Sequence, residues 1–330
     1  PMHYIETGSV DPCYNLAFEE YILTHKTEGD WLILWQNRNT VVIGLNQNAI
    51  EEVNLPFIQE HSTTVVRRST GGGAVYHDMG NLNYSFITDL GESRMVSMER
   101  LTRPVCAALR AMGVPAEVSG RNDITVEGQK VSGTAQRIEG KRILHHGTLL
   151  FSSDLELVAG ALRVDPEKIQ SKSIKSVRAR VGNLKDFLPA GMTIDAFWQA
   201  LKEHLLSGKS VVETLTPSEL EEIRTLADTK YRSWERTWGR SPACTLRQKR
   251  RLPGGTLEAL LSIKDGCIQD ITFCGDFMAT TDCTPAQDAI RGCRYDRDAV
   301  AALLAPLDLA PMFGGITQEE ILGTVFGDPA

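Results

Sequence analysis

The sequence predicts an α+β fold: a larger domain on a mixed/antiparallel sheet, followed by a small α+β accessory domain. Three observations predict this. Short β-branched runs are joined by tight turns, as in ITVEGQKVSG and GKRILHHGTLLF, with Glu127-Gly128 and Glu139-Gly140 at the bends. Helical segments stand apart from these runs, so no regular βαβ array results. The chain has 330 residues, while a single core stops growing near ~250–300 residues. The expected division is residues 1–245 and 246–330.

Taken in order, Asp11-Pro12 offers a cap and a first-turn proline ahead of NLAFEEYILTH, which predicts a helix. LILW (32–35) and TVVIG (40–44) are strand-like and bounded by turn residues. STTVV and AVY look like strands on either side of a glycine run. Asp165-Pro166 marks another helix start, and Thr193 is expected to cap IDAFWQALKEHLL. Thr216-Pro217-Ser218-Glu219 adds a capping-box glutamate. SWERTWGRSP (233–242) and the basic run after it, through Gly255, read as a linker, with Ser241–Gly255 as a hinge. TLEALLSI and IQDITF flank a Lys264-Asp265-Gly266 turn, a hairpin signal. DRDAVAALLAPL and TQEEILGTVF then read as helices, the second with Thr317 and Glu320 as a capping box.

Composition narrows the function. A formal charge of −7 argues against a nucleic-acid coating protein, which is usually basic on at least one domain. No run of ~18 apolar residues is present, so no membrane span is expected. The first residues lack a basic stretch followed by an apolar one, so no secretory leader is expected. Seven cysteines without a C-x-x-C pair fit a reducing compartment better than a disulfide framework. The spacing of Cys267, Cys274, Cys283 and Cys293 is irregular, and they read as half-buried core residues before zinc ligands.

The run RRSTGGGAVYHDMGN (67–81) joins two arginines to three glycines. Glycines permit φ > 0 and let a ligand lie on backbone N–H groups. Guanidinium forks suit phosphate oxygens. Together they predict an anion cradle, against the plain alternative of a turn between solvated arginines. The run is neither a Walker A loop nor a dinucleotide fingerprint. His77-Asp78 follows directly, and such a pair can fix a ring orientation, although His77 alone reads as a structural hydrogen bonder.

In QKVSGTAQR, strand alternation predicts Lys130, Ser132 and Thr134 on one face and Val131 on the other. A lysine there could neutralise charge as a carboxylate and a phosphate join. Alone it reads as a surface lysine. In HHGTLLF, His145 and His146 face opposite ways, Gly147 opens space, and Leu149-Leu150 start an apolar run. That is a pocket wall or an ordinary core strand with one satisfied histidine.

In this order the pieces RRSTGGGAVYHD, KVSGTA and HGTLL resemble the lipoate–protein ligase A family. DPCYNLAFEEYIL, WQNRNTVVIGLNQNAIEEVN and SIKSVRARVGNL are similar to further segments of it. SWERTWGRSP and the tail with CGDF and FGGITQEEI resemble its carboxy-terminal domain. The resemblance implies a fold related to biotin protein ligases and class II aminoacyl-tRNA synthetases. It implies an ATP-dependent ligase: lipoate and ATP give lipoyl-adenylate and pyrophosphate, then a lysine of an apo lipoyl domain takes the lipoyl group. The acceptors implied are E2 subunits of 2-oxoacid dehydrogenases and the glycine cleavage H protein. A lipoyl- or octanoyl-transferase using a preformed adenylate or acyl donor is the alternative, and a non-catalytic lipoate- or nucleotide-binding regulator is a third reading.

Carried onto this chain, the resemblance makes Lys130 the catalytic residue, placed between the lipoate carboxylate and the α-phosphate. Arg68, Gly73, Ala74, Val75 and Tyr76 join it on the nucleotide, with Arg67 supporting or facing away. Arg68, Gly72 and His146 join it on lipoate, and the apolar wall near Leu149 lines the slot. At ~0.8 kcal/mol per CH₂, the C8 chain supplies several kcal/mol of binding. Mg²⁺ needs one or two carboxylates beside phosphate oxygens, and Asp123 is the candidate. The basic cluster Lys172, Lys175, Arg178 and Arg180 is expected to steer an acidic acceptor. A monomer is expected, cytoplasmic in a bacterium, with mitochondria the eukaryotic option.

Overall fold

A computed structural model describes residues 2–91, 98–120, 122–163, 180–239 and 244–329. They divide into two compact units that are not contiguous in sequence. The first comprises residues 1–42, 52–66 and 75–233, the second 43–51, 67–74 and 234–330.

The strands up to residue 212 are β1 (Met2–Ile5), β2 (Asp30–Trp35), β3 (Thr40–Ile43), β4 (Thr64–Arg67), β5 (Val75–His77), β6 (Asn81–Asp89), β7 (Ala116–Ser119), β8 (Asp123–Val126), β9 (Gln129–Glu139), β10 (Arg142–Leu150) and β11 (Ser210–Val212). An eight-stranded sheet runs β11-β1-β2-β6-β10-β9-β8-β7, and a small sheet runs β4-β3-β5. The large sheet is mixed: β1 is parallel to β2 and β11, and the neighbouring pairs from β2 through to β7 are antiparallel.

Strand alternation divides the apolar side chains between two cores. On β2, Leu32 and Leu34 face one core while Trp31, Ile33 and Trp35 face the other. The first core is covered by α2 (Met98–Ala111) and α3 (Ile194–Leu205), through Val105, Leu109, Phe197 and Leu201. The second is covered by α1 (Pro12–His25) and α4 (Pro217–Leu226). The caps are those the sequence predicts: Asp11 on α1, Thr193 on α3 and the Thr216/Glu219 box on α4. Each such cap stabilises its helix by about 1 kcal/mol. The helix start at Asp165-Pro166 lies outside the described residues. Helix α1 is unusual because it is buried on almost every side, Asn15 and Glu19 included.

The second unit carries an antiparallel sheet of β12 (Leu246–Leu252), β13 (Gly255–Lys264) and β14 (Cys267–Gly275). Behind it pack α5 (Thr284–Ile290), α6 (Arg297–Leu304) and α7 (Gln318–Val325), around Phe273, Phe277 and Phe313. The Lys264-Asp265-Gly266 turn is present, with φ +53° at Asp265 and +74° at Gly266. One expectation fails. The basic run read as linker and hinge is strand β12 over Leu246–Leu252, with Arg247, Lys249 and Arg251 exposed and the alternate residues half-buried. Gln248 and Arg250 occupy the inward positions, so the run lacks the apolar alternation that marks a strand in sequence.

Candidate active site

The glycine run belongs to the second unit, and its first job is packing. Arg67 is fully buried. Its guanidinium donates to the carbonyls of Gly44 at 3.0 Å, Leu45 at 3.0 Å and Gln47 at 2.5 Å. It also donates to Arg236 at 2.7 Å and Thr237 at 2.9 Å. Arg236 returns a bond to the Arg67 carbonyl at 3.2 Å. Arg68, also buried, donates through Nη2 to the carbonyls of Gly71 and Gly73, both at 2.7 Å, and so braces the loop from within.

The three glycines are not equivalent. Only Gly72 lies in the left-handed region, at φ +94°. A Cβ on Gly71 would sit 2.4 Å from the Ala279 nitrogen, and one on Gly72 would sit 2.9 Å from Met278 Sδ. A Cβ on Gly73 would meet nothing within 4 Å. Gly73 is therefore the glycine with open space at its α-carbon.

Strand β5 follows in the first unit, with Val75 opposite Val42 and Tyr76 opposite Val41. The Tyr76 hydroxyl donates to Asn39 Oδ1 at 2.8 Å, which occupies that side chain. The expected His77–Asp78 pairing is absent. His77 Nδ1 lies 3.1 Å from Asn37 Nδ2, and Asn15 holds Asn37 in turn. Asp78 instead accepts from the Gly80 and Asp154 amides, at 2.9 and 2.8 Å. Adjacent residues on a strand point to opposite sides, which explains the miss.

Lys130 stands at a β-bulge. Thr125 pairs with Lys130 while Ile124 pairs with Ser132, leaving Val131 as the extra residue. The bulge overturns the expected alternation. Val131 and Ile124 enter the first core, and Ser132 is buried opposite Ile124. Lys130 instead shares a face with Gly133: a Cβ on Gly133 would lie 3.1 Å from Lys130 Cε. So Gly133 makes room for the lysine's own side chain. The ammonium sits 3.2 Å from Asp123 Oδ1.

The same face continues across β10 and β6. Gly133 N–H donates to Thr148 Oγ1 at 3.1 Å, and Thr148 stands opposite Asn83. His146 stands opposite Ser85, and its Nδ1 is 2.9 Å from Glu19 Oε2. Ser85 donates to Glu19 at 2.5 Å, and Trp35 Nε1 donates to Ser85 at 2.8 Å. Asn81 donates to Asn83 Oδ1 at 2.8 Å. The buried Asn83 Nδ2 has no hydrogen-bond partner among the described residues. A buried amide donor without a partner costs about 1–3 kcal/mol, which a ligand oxygen would relieve.

His145 faces the other way, against Gln136 at 3.0 Å and Thr102 at 3.3 Å. Burial, with His146 as the smaller cause, pushes its pKa down to about 3, so it is a neutral core histidine. Two further expectations change. The space at Gly147 is filled by the Tyr84 ring, whose hydroxyl would lie 2.5 Å from a Cβ there. Leu149 is fully buried in the first core, on the side away from His146. The apolar side chains on the His146 side include Trp35, Ile87 and Leu144.

Glu19, Trp35, Asn83 and Ser85 are the polar-face residues that sequence reading missed. The alternation Asn81, Asn83, Ser85 within an otherwise apolar strand was a usable signal for two of them. Glu19 had none, because a glutamate on a helix is ordinarily a solvent residue. Among the described residues no group of three or more His, Cys, Asp or Glu could hold a metal ion. The single carboxylate of Asp123 suits Mg²⁺ that keeps phosphate oxygens and waters as its other ligands. Lys172, Lys175 and Arg178 lie outside the described residues, and Arg180 is exposed.

Residues 11–206 match the lipoyl protein ligase A/B catalytic domain, and residues 241–324 match the bacterial lipoate protein ligase C-terminus. The chain belongs to the lipoate–protein ligase family. Lipoate-protein ligase LplJ of Bacillus subtilis is 40% identical over 98% of this chain and all of its own. Lipoate–protein ligase 1 of Staphylococcus aureus is 39% identical, over 97% of this chain and 99% of its own. Among solved structures, the bipartite lipoate protein ligase of Thermoplasma acidophilum, solved in work on its lipoylation system and E2 lipoyl domain, has a TM-score of 0.65 at 30% identity. It covers 74% of this chain and 98% of its own. A lipoate-protein ligase A with ATP bound gives a TM-score of 0.62 at 28% identity, over 72% and 98%.

Proposed function

We propose that this lipoate–protein ligase works through Lys130, and that it joins lipoate to a lysine of an apo lipoyl domain in two steps. As a member of its family the chain is an ATP-dependent ligase. In the first step a lipoate carboxylate oxygen bonds to the α-phosphorus of ATP. The α–β P–O bond breaks, and pyrophosphate leaves. In the second, the acceptor lysine's neutral amine attacks the lipoyl carbonyl, AMP departs with the electron pair, and the amine proton is lost to solvent.

The observation that carries this reading is the Lys130 bulge. It sets one ammonium on the polar face that also bears Thr148, Asn83 and His146. Such a charge offsets the negative charge that grows as carboxylate and phosphate meet, and again as the carbonyl oxygen turns anionic. Asp123 holds the ammonium in place and is the carboxylate that would hold Mg²⁺ arriving with ATP. Arg68 and the backbone of Gly73, Ala74, Val75 and Tyr76 serve the nucleotide. Gly72 and His146 serve lipoate, and Glu19 orients the His146 ring. Residues 1–245 form the catalytic part and 246–330 the accessory part. The acceptors are lipoyl domains of E2 subunits and the H protein, the working state is a monomer, and the setting is the cytoplasm.

The test mixes the protein with lipoate, Mg²⁺-ATP and an apo lipoyl domain, following pyrophosphate and acceptor mass together. Both products, with both lost in Lys130→Ala, establish the ligase. Acceptor modification from synthetic lipoyl-adenylate, with no pyrophosphate from ATP, would replace the ligase by a transferase.

A further inference from the structure

Gly71 and Gly72 do not present free amides. Gly71 N–H donates to the Ala279 carbonyl at 3.1 Å, and Gly72 N–H donates to the Phe277 carbonyl at 3.0 Å. The acceptors lie on a tight turn closed by Ala279 N–H to Phe277 O at 2.9 Å, with Met278 at its apex. We propose that the Phe277–Ala279 turn is the positioning element of the nucleotide cradle, and that Met278 is its key side chain. The proposal rests on the reading that the loop serves ATP.

The turn is built to stay in place. Phe277 and Ala279 are buried in the core of the second unit, and Phe277 stacks on Phe313 at 5.6 Å between centroids. Thr280 and Thr281 amides both donate to the Pro311 carbonyl, at 2.7 and 3.0 Å. Behind the apex Gly314 takes φ +61°, and a Cβ there would lie 3.0 Å from the Met278 carbonyl oxygen. In front of it, a Cβ on Gly72 would meet both Met278 Sδ at 2.9 Å and Arg68 Nη2 at 3.2 Å. Met278 thus packs where the loop and the Arg68 guanidinium meet.

Glycine has more backbone freedom to lose than any other residue. A run of three would be a poor cradle unless something else ordered it. Two amide bonds to the turn order Gly71 and Gly72, and Arg68 ties the Gly71 and Gly73 carbonyls together. Gly73, with open space at its α-carbon, is left to meet phosphate. Preorganisation of this kind acts chiefly on ATP binding, because lipoate meets the loop only at Arg68 and Gly72 and keeps Lys130 and His146 on the sheet face.

The experiment is lipoate-dependent ATP–pyrophosphate exchange by Met278→Ala and Met278→Leu, with amide hydrogen exchange on the unaltered protein. Met278→Ala is expected to raise the KM for ATP by about tenfold and the KM for lipoate by less than about twofold. Met278→Leu, nearly isosteric, is expected to restore most of the loss. Gly71 and Gly72 amides are expected to be protected in the unaltered protein. An unchanged ATP KM in Met278→Ala, an equal rise in both KM values, or rapid exchange of both glycine amides would overturn the proposal. An unaltered protein that makes no pyrophosphate would instead remove the ligase reading, and the exchange measurement would still decide whether the turn orders the loop.

Discussion

The glycine loop and the face shared by β6, β9 and β10 differ in how openly they declare themselves. Three glycines behind two arginines catch the eye, yet Arg67, Gly71 and Gly72 are engaged by the chain's own backbone. The sheet face looks ordinary in sequence, yet it gathers Lys130, Thr148, Asn83 and the Glu19–His146 pair. The difference teaches that bare backbone is evidence of close approach, whatever approaches. Buried polar groups without partners, such as Asn83 Nδ2, point more directly to a ligand.

The largest effect should come from the sheet face. Lys130→Ala is expected to lower the rate of lipoyl-adenylate formation by at least ~10²–10³, because a charge aimed at the transition state is lost. Pyrophosphate release measures it. A loss below tenfold would move the chemistry away from that face.

Next, the glycines should separate. Gly71→Ala puts a Cβ 2.4 Å from backbone, and overpacking of this kind costs about 1–3 kcal/mol in thermal or urea unfolding. Gly73→Ala meets open space and should leave stability within about 0.5 kcal/mol while weakening ATP use. Equal stability losses would erase the distinction between the two positions.

The two neighbouring histidines should also part company with pH. His145 has its pKa lowered from 6.5 to about 3 by burial. The unfolded chain therefore binds the proton that the folded one refuses. Stability from this group is fully present above pH 6.5 and is lost as pH falls toward about 3. His145→Gln should shallow the decline in unfolding free energy across that window. An identical slope would mean that His145 is not held neutral.

The smallest effect concerns the support of the lysine. Thr148→Val leaves the Gly133 amide without its 3.1 Å acceptor and should cost about 1 kcal/mol in urea unfolding. No measurable change would mean that water replaces the hydroxyl and that Gly133 is not held by β10.

Much of the scaffold was legible because local signals and tertiary structure agree. The cap at Asp11, the box at Thr216 and the turn at Asp265-Gly266 act over a few residues, and the structure keeps them. Strand β12 was not legible, since its inward residues are long and polar. The Lys130 bulge was not legible either. An extra residue shifts alternation only once a partner strand is in register beside it.

The sequence by itself determined the caps, the tight turns and the family motifs, and it singled out Lys130, Arg68 and His146 as candidates. These follow from residue type and short spacing, which need no partner. Only the tertiary structure decided which side each group serves. It drew Glu19 from a buried helix to His146, 127 positions away. It turned Leu149 from the slot into the core and filled Gly147 with Tyr84. It also brought Phe277 and Ala279 to Gly72 and Gly71. Those outcomes depend on strand register and on carbonyls distant in sequence, and both exist only when the chain has packed.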